Sequence, residues 1–232
     1  NITASQSGNA NYNAASNVIQ GFTVDKAGQT VTFGALAAKT YGDPDFDLTG
    51  TASSGLTVSY TSSNTAVATI SGTTVTIVSS GATNITASQS GNANYNAASN
   101  VVQGFTVDKA DQTIFFGTLA SKTNGDPDFD LGGATSSGLP LSYSSSNTAV
   151  ATMSGTTLTI VGSGATNITA SQAGNANYNT AANVVQGFTV IGKSTVSTTA
   201  ASSIAETSAT LGGWATDDGG ASITERGIVY AI

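Results

Sequence analysis

A stretch of 26 residues, NITASQSGNANYNAASNVVQGFTVDK at residues 84–109, recurs with few changes through the chain. Its copies start at Asn1, Asn84 and Asn167, a spacing of 83 residues both times. A chain built this way folds as a string of copies of one unit. Repeats of about 20–50 residues stack as solenoids, because no single copy can bury its own apolar face. A unit of 83 residues is long enough to enclose a small core of its own, so the expectation is separate beads.

The spacing divides the chain. Residues 1–26 match the last third of a unit and are expected as the C-terminal strands of a preceding repeat. Residues 27–109 form one complete unit and 110–192 a second. From 193 the pattern changes, and 193–232 are expected to be the N-terminal part of a different β-domain. The junction FTVDKA has no Gly/Ser or Pro-rich spacer, so neighbouring units are expected to abut near Lys26 and Lys109.

Within the complete unit, apolar and polar residues alternate in short runs. Strands are expected at 29–33, 46–52, 56–60, 66–70 and 73–78, with two more beginning at Asn84 and Asn100. SSG separates the second run from the third, and Ser71-Gly72 separates the next two as a tight hairpin turn. No segment sustains a period of 3.6 residues, so no helix is expected. The fold class is all-β: tandem immunoglobulin-like sandwiches of about seven strands each, arranged as a semi-stiff rod. At ~3.3 Å per residue, each bead would measure roughly 35–40 Å. In the last segment, strands are expected at 196–200, 208–215 and 223–230, with an acidic turn at 217–220. Apolar exchanges between the units, such as Val31 for Ile114 and Val75 for Leu158, are those a packed core tolerates. Tyr41 becomes Asn124, so that position is expected to face water. Phe33, Phe46, Leu48, Val67, Ile77 and Phe105 are the expected core anchors, and Trp214 is expected to pack in the core of its own domain.

Composition removes whole classes of function. The sequence has no Cys and no His, which excludes disulfides, thiol- or imidazole-ligated zinc and any Ser-His-Asp or Cys-His catalytic unit. Six Lys and Arg stand against 13 Asp and Glu. So few cations leave no footprint for a phosphate backbone, and nucleic acid is not an expected partner. No run of about 18 apolar residues exists to insert in a membrane as a helix.

The phrases KADQTIFFGTLASKTNGDPDFDL, SGLTVSYTSSNTAVATISG and GATNITASQSGNANYNAA closely resemble the bacterial Ig-like repeats of the MBG type. Residues 193–232 resemble the start of a fibronectin-type-III repeat. MBG-type repeats occur in large surface adhesins of Bacteroidota, including gliding-type adhesins. The resemblance implies an exported, extracellular cell-surface protein with a stalk or adhesive role, and it brings no catalytic residues.

Two features are candidates for a site. The acidic run Asp43-Pro44-Asp45-Phe46-Asp47 recurs as Asp126-Pro127-Asp128-Phe129-Asp130. If extended, Asp43, Asp45 and Asp47 share one face, as do Asp126, Asp128 and Asp130. Such clusters can supply oxygen ligands to calcium, although the glycine and terminal Glu of an EF-hand loop are missing. The competing reading is a charged edge strand that blocks edge-to-edge pairing. The loop GNANYNAAS carries Tyr12, Tyr95 and Tyr178, either as exposed binding side chains or as rings folded over the end of the sandwich. Three N-I-T sequons, at Asn1, Asn84 and Asn167, fall in expected strands. Lys39 and Lys122 have no spacing to Asn that supports an isopeptide link.

The expected function is structural and adhesive, without catalysis. Expected partners are other units of the same chain, like chains in a filament, and a surface glycan or protein ligand. One alternative is a multi-chain extracellular filament whose strands are exchanged between chains. Another is a set of spacer or carbohydrate-binding modules of a secreted enzyme. Near-identical neighbours are also prone to exchange strands during folding.

Overall fold

The structure, a computed structural model, describes residues 1–217. The strand expected at 223–230 and most of the turn at 217–220 lie outside them. The chain divides into two compact units, Asn1–Asp108 and Lys109–Ile232. All regular structure among the described residues is β-strand.

The first unit opens with a hairpin, β1 (Ile2–Ala4) and β2 (Val18–Gln20). A sandwich follows, built from β3 (Val31–Thr32), β4 (Lys39–Thr40), β5 (Phe46–Asp47), β6 (Thr51–Ala52), β7 (Ser59–Ser62), β8 (Ala68–Ser71), β9 (Thr74–Ile77), β10 (Gly81–Ser88) and β11 (Val101–Asp108). One face is a four-stranded sheet in the order β4-β11-β10-β7. The other consists of the pair β3-β6 and the sheet β5-β9-β8. All pairings are antiparallel except β4 with β11, where Val107 lies opposite Lys39 and Asp108 opposite Thr40.

The second unit repeats this plan. Its strands are β12 (Ile114–Phe115), β13 (Lys122–Thr123), β14 (Phe129–Asp130), β15 (Ala134–Thr135), β16 (Ser142–Ser145), β17 (Ala151–Ser154), β18 (Thr157–Ile160), β19 (Gly164–Ser171) and β20 (Val184–Ile191). They form sheets β13-β20-β19-β16, β12-β15 and β14-β18-β17. A bulged hairpin follows, β21 (Thr195–Ala205) against β22 (Ser208–Asp217). Trp214 on β22 is exposed rather than packed, since no second sheet covers this hairpin among the described residues.

The interior follows from alternation. Ile85, Ala87, Phe105 and Val107 point inward from β10 and β11, and Val75 and Ala68 meet them from β9 and β8. Phe46 sets its ring 5.4 Å from Phe105, and Phe33 sets its own 5.4 Å from Tyr60. The second core reproduces both contacts, with Phe129 on Phe188 at 5.8 Å and Phe116 on Tyr143 at 5.3 Å. Phe33, Leu48, Val67 and Phe105 are buried as expected, while Phe46 and Ile77 are half-buried against the same cluster. Burial pushes the Tyr143 phenol above its ordinary pKa, because the charged form would lose its water.

Three local expectations change. The single strand expected at 46–52 is two strands, β5 and β6, with partners in different sheets. The break lies at Gly50, whose carbonyl accepts a hydrogen bond from the Tyr60 hydroxyl at 3.2 Å. A Cβ there would lie 2.6 Å from that hydroxyl. The hairpin of β8 and β9 turns on Gly72 and Thr73, because Ser71 already pairs with Thr74. Gly72 has φ +63°, as the first central residue of a II′ turn requires. Tyr41 does not face water: it is half-buried and packs on the core cluster.

One buried polar group pins the loop between β7 and β8. The Thr83 hydroxyl lies 2.9 Å from the Ser62 hydroxyl and 3.2 Å from that of Ser63, and it accepts the Asn64 N–H at 3.0 Å. Thr166 does the same for Ser145, Ser146 and Asn147. Thr83→Val keeps the shape but strands these partners, so it is expected to cost about 1–3 kcal/mol. Denaturant melts of the two proteins measure it.

Candidate functional site

The acidic run begins as a turn and ends as a strand. The Asp43 N–H donates to the Thr40 carbonyl, and the Asp43 carboxylate accepts the Thr40 N–H at 2.9 Å. Pro44 follows, and only then does the chain extend. Asp45 and Asp47 therefore share a face, while Asp43 serves the turn. Opposite them, β9 presents Thr74 and Thr76 outward and Val75 inward. Asp47 accepts from the Thr74 hydroxyl at 2.7 Å, and Asp45 from that of Thr76 at 2.7 Å. The second unit matches: Asp126 caps Thr123, Asp128 accepts from Thr159 at 2.8 Å and Asp130 from Thr157 at 2.6 Å.

These carboxylates are acceptors in a ladder across two strands. Among the described residues no group of three Asp or Glu side chains is gathered to hold a metal. Calcium takes about 6–8 oxygens, more than the four carboxylate oxygens that Asp45 and Asp47 hold between them. A held cation would raise the thermal midpoint in proportion to ln(1 + [L]/Kd). The expected result is the same midpoint for the full chain in millimolar calcium and in chelator. A rise with calcium would identify Asp43, Asp45 and Asp47 as ligands. Lys39 lies over the ring of Phe46, with Nζ 5.3 Å from its centre, and Lys122 over Phe129 at 5.2 Å.

The tyrosine loop is a built clasp. The Asn92 carboxamide oxygen accepts the N–H groups of Asn94 and Tyr95, and the Asn92 N–H donates to the Tyr95 carbonyl. This tight ring grips the start of the same unit. The Ala27 N–H donates to Asn94 O at 2.9 Å, and the Asn96 N–H donates to Ala27 O at 2.9 Å, a parallel bridge between Ala27 and Tyr95. Gln29 donates to Asn96 O at 2.7 Å and accepts from Ser54. Gln89 donates to Thr57 O at 3.1 Å and accepts from the Gly91 amide. In the second unit, buried Gln112 bonds Asn179 O at 2.7 Å, and Ala110 bridges Tyr178. Tyr95 and Tyr178 are half-buried, whereas Tyr12 is 75% exposed. Glutamine was not singled out in the sequence, yet Gln29 and Gln89 tie this end together.

A further surface belongs to the second unit. An open groove of about 840 Å³ runs along Ile114, Phe115, Leu119, Gly132, Ala134 and Val184. Phe115 is 61% exposed in it. The first unit has Thr32, Thr49 and Thr51 where this one has Phe115, Gly132 and Ala134, so the exchange replaces hydroxyls by apolar surface. The signal was present in the alignment of the two units, as a Thr-to-Phe change in a short strand.

No family model matches the chain, and no curated protein does. Solved structures give matches of low identity. Drosophila N-cadherin EC1-4 is 10% identical over 72% of this chain, which spans 50% of that chain, with a TM-score of 0.32. Mouse cadherin-23 EC22-24 is 11% identical, covering 82% of this chain and 73% of that one, with a TM-score of 0.29. The D00-D0 domain of intimin is 14% identical, covering 68% and 98%, with a TM-score of 0.29.

Proposed function

We propose that the chain is a load-bearing segment of a long extracellular cell-surface protein, in which Ig-like modules of the MBG type succeed one another as a stalk. The observation that carries this reading is the connection between complete modules. Strand β11 ends at Asp108, and Ala110 is already clasped by Asn177 and Asn179 of the following module. Only Lys109 lies between them, and its ammonium donates to Asn175 O at 2.7 Å. Each module carries its own core. On this reading residues 1–26 are the closing strands of one more module, and 193–232 open a fibronectin-III-like one.

The test is immunogold electron microscopy with antibodies against residues 27–192, applied to intact cells of the source. Gold strung along threads outside the envelope is the expected result. Label that appears only after lysis would overturn the reading.

A further inference from the structure

The turns that follow β4 and β13 are built alike and differ at one residue. Each runs Thr-X-Gly-Asp-Pro, where X is Tyr41 in the first complete module and Asn124 in the second. In each, the Asp N–H donates to the Thr carbonyl at 2.9 Å, and the Asp carboxylate accepts the Thr N–H. Gly42 and Gly125 both have φ +93°. Residue X also extends the parallel ladder by one bond. The Tyr41 N–H donates to Asp108 O at 2.9 Å, and the Asn124 N–H to Ile191 O at 2.7 Å. Tyr41 adds a ring that packs on the core cluster, whereas Asn124 adds a short carboxamide.

Asn124-Gly125 is the one Asn-Gly pair in the whole sequence, and such a pair has a reaction of its own. A glycine has no Cβ, so no side chain shields its main-chain nitrogen from the preceding carboxamide. Gly125 is exposed. Among the described residues its N–H donates to no protein group, and the Asn124 carboxamide makes no hydrogen bond. Lys193 brings a positive charge to the same spot: its Nζ would stand 3.2 Å from a Cβ placed on Gly125. An ammonium there favours the deprotonated nitrogen, as a nearby opposite charge does for any ionising group. It also offsets the Asp126 carboxylate, which is engaged by the Thr123 N–H.

We propose that Asn124 is a self-modification site, converted through a cyclic imide to isoaspartate and aspartate, and that the change loosens the pairing of β13 with β20 in the second module alone. The Gly125 nitrogen loses its proton and attacks Cγ of Asn124. A C–N bond forms, the Cγ–Nδ2 bond breaks, and ammonia leaves with the proton. Water then opens the imide at either carbonyl. Opening toward isoaspartate carries the main chain through the former side chain and lengthens it by one methylene at residue 124. The bond from the Asp126 N–H to Thr123 O spans that insertion, so it cannot close as before. Asp126 then no longer holds Thr123, the residue that β13 sets opposite Ile191. Tyr41 has no such reaction, so the first module keeps its turn. This goes beyond the stalk reading and does not depend on it.

The test holds the full chain in warm, mildly alkaline buffer and follows each asparagine by peptide mass spectrometry, with isoaspartyl methyltransferase to mark isoaspartate. The expected result is conversion of Asn124 at least about tenfold faster than of any other asparagine, since all the others precede a residue with a Cβ. Hydrogen exchange over 122–126 should rise at least about tenfold with conversion, while exchange over 39–43 stays unchanged. Asn124→Gln, whose longer side chain must close a larger ring, should keep its protection through the same incubation. Asn124→Tyr, which copies the first module, should do the same and serves if the glutamine variant does not fold. Conversion of Asn124 no faster than of the rest would overturn the proposal, as would full conversion that leaves exchange over 122–126 at its starting value. A rise that also occurs in the incubated variants would refute Asn124 as its cause.

Discussion

Phe105→Ala is expected to remove about 3–5 kcal/mol from the first complete module, the range for a buried aromatic truncated in a core that cannot collapse around the gap. At roughly 0.05–0.15 kcal/mol per residue, 83 residues carry about 4–12 kcal/mol of stability, so this one change takes about a quarter or more of it. The ring is 1% exposed and leans on Phe46 at 5.4 Å. Its loss would also loosen Lys39, which lies over Phe46. The second module has its own anchor in Phe188 and its own core, so its exchange rates should not move. Hydrogen exchange resolved along the chain measures both at once. Equal destabilisation of both modules would mean that they do not fold as independent units.

Gly91→Ala is the second large effect, expected at roughly 2–4 kcal/mol. Gly91 opens the tyrosine loop with φ +75°, a conformation in which an L side chain is strained. An added Cβ would stand 2.3 Å from the Tyr95 carbonyl oxygen and 2.7 Å from the Asn96 carbonyl carbon. Both are backbone atoms, so no rotamer change can relieve the overlap. The loop must open, and the amides that hold Ala27 open with it. The expected signature is a lowered midpoint together with fast exchange at Ala27, Asn94 and Asn96. A variant as stable as the parent, with Ala27 still protected, would mean the loop closes some other way. Gly174→Ala should repeat the result at Ala110.

The parts of this fold that were legible in the sequence are those decided within one strand. The alternation in 84–88 and 101–108 specified which faces of β10 and β11 are buried, because side chains on a strand alternate strictly. Gly55 and Gly72 marked turns, since both positions need positive φ. What escaped was decided between strands. Lys39–Thr40 has no alternation to betray it, and it is a strand only because Val107 and Asp108 offer an edge. The run at 46–52 looked continuous because nothing local announces that the Tyr60 hydroxyl needs the Gly50 carbonyl. The acidic residues were visible at once, but their roles were not. Asp45 and Asp47 find their partners in Thr76 and Thr74, whose alignment depends on the register of β5 with β9. Trp214 was placed by its strand pattern, and pattern alone cannot say whether a covering sheet is present.

The parallel contacts at the two ends of the first complete module have a mechanical meaning. In the proposed stalk, tension entering at Lys26 and leaving through Asp108 pulls the opening and closing segments in opposite directions along their own axes. Ala27 is held against Tyr95, and Lys39–Thr40 against Val107–Asp108, both in parallel register. Hydrogen bonds across such a pair lie athwart the pull, so they are sheared together instead of being peeled one by one. An antiparallel closure at the same place would unzip under a much smaller force. The module thus has two latches in series, and the first to feel a load is the asparagine-rich loop that holds Ala27 against Tyr95.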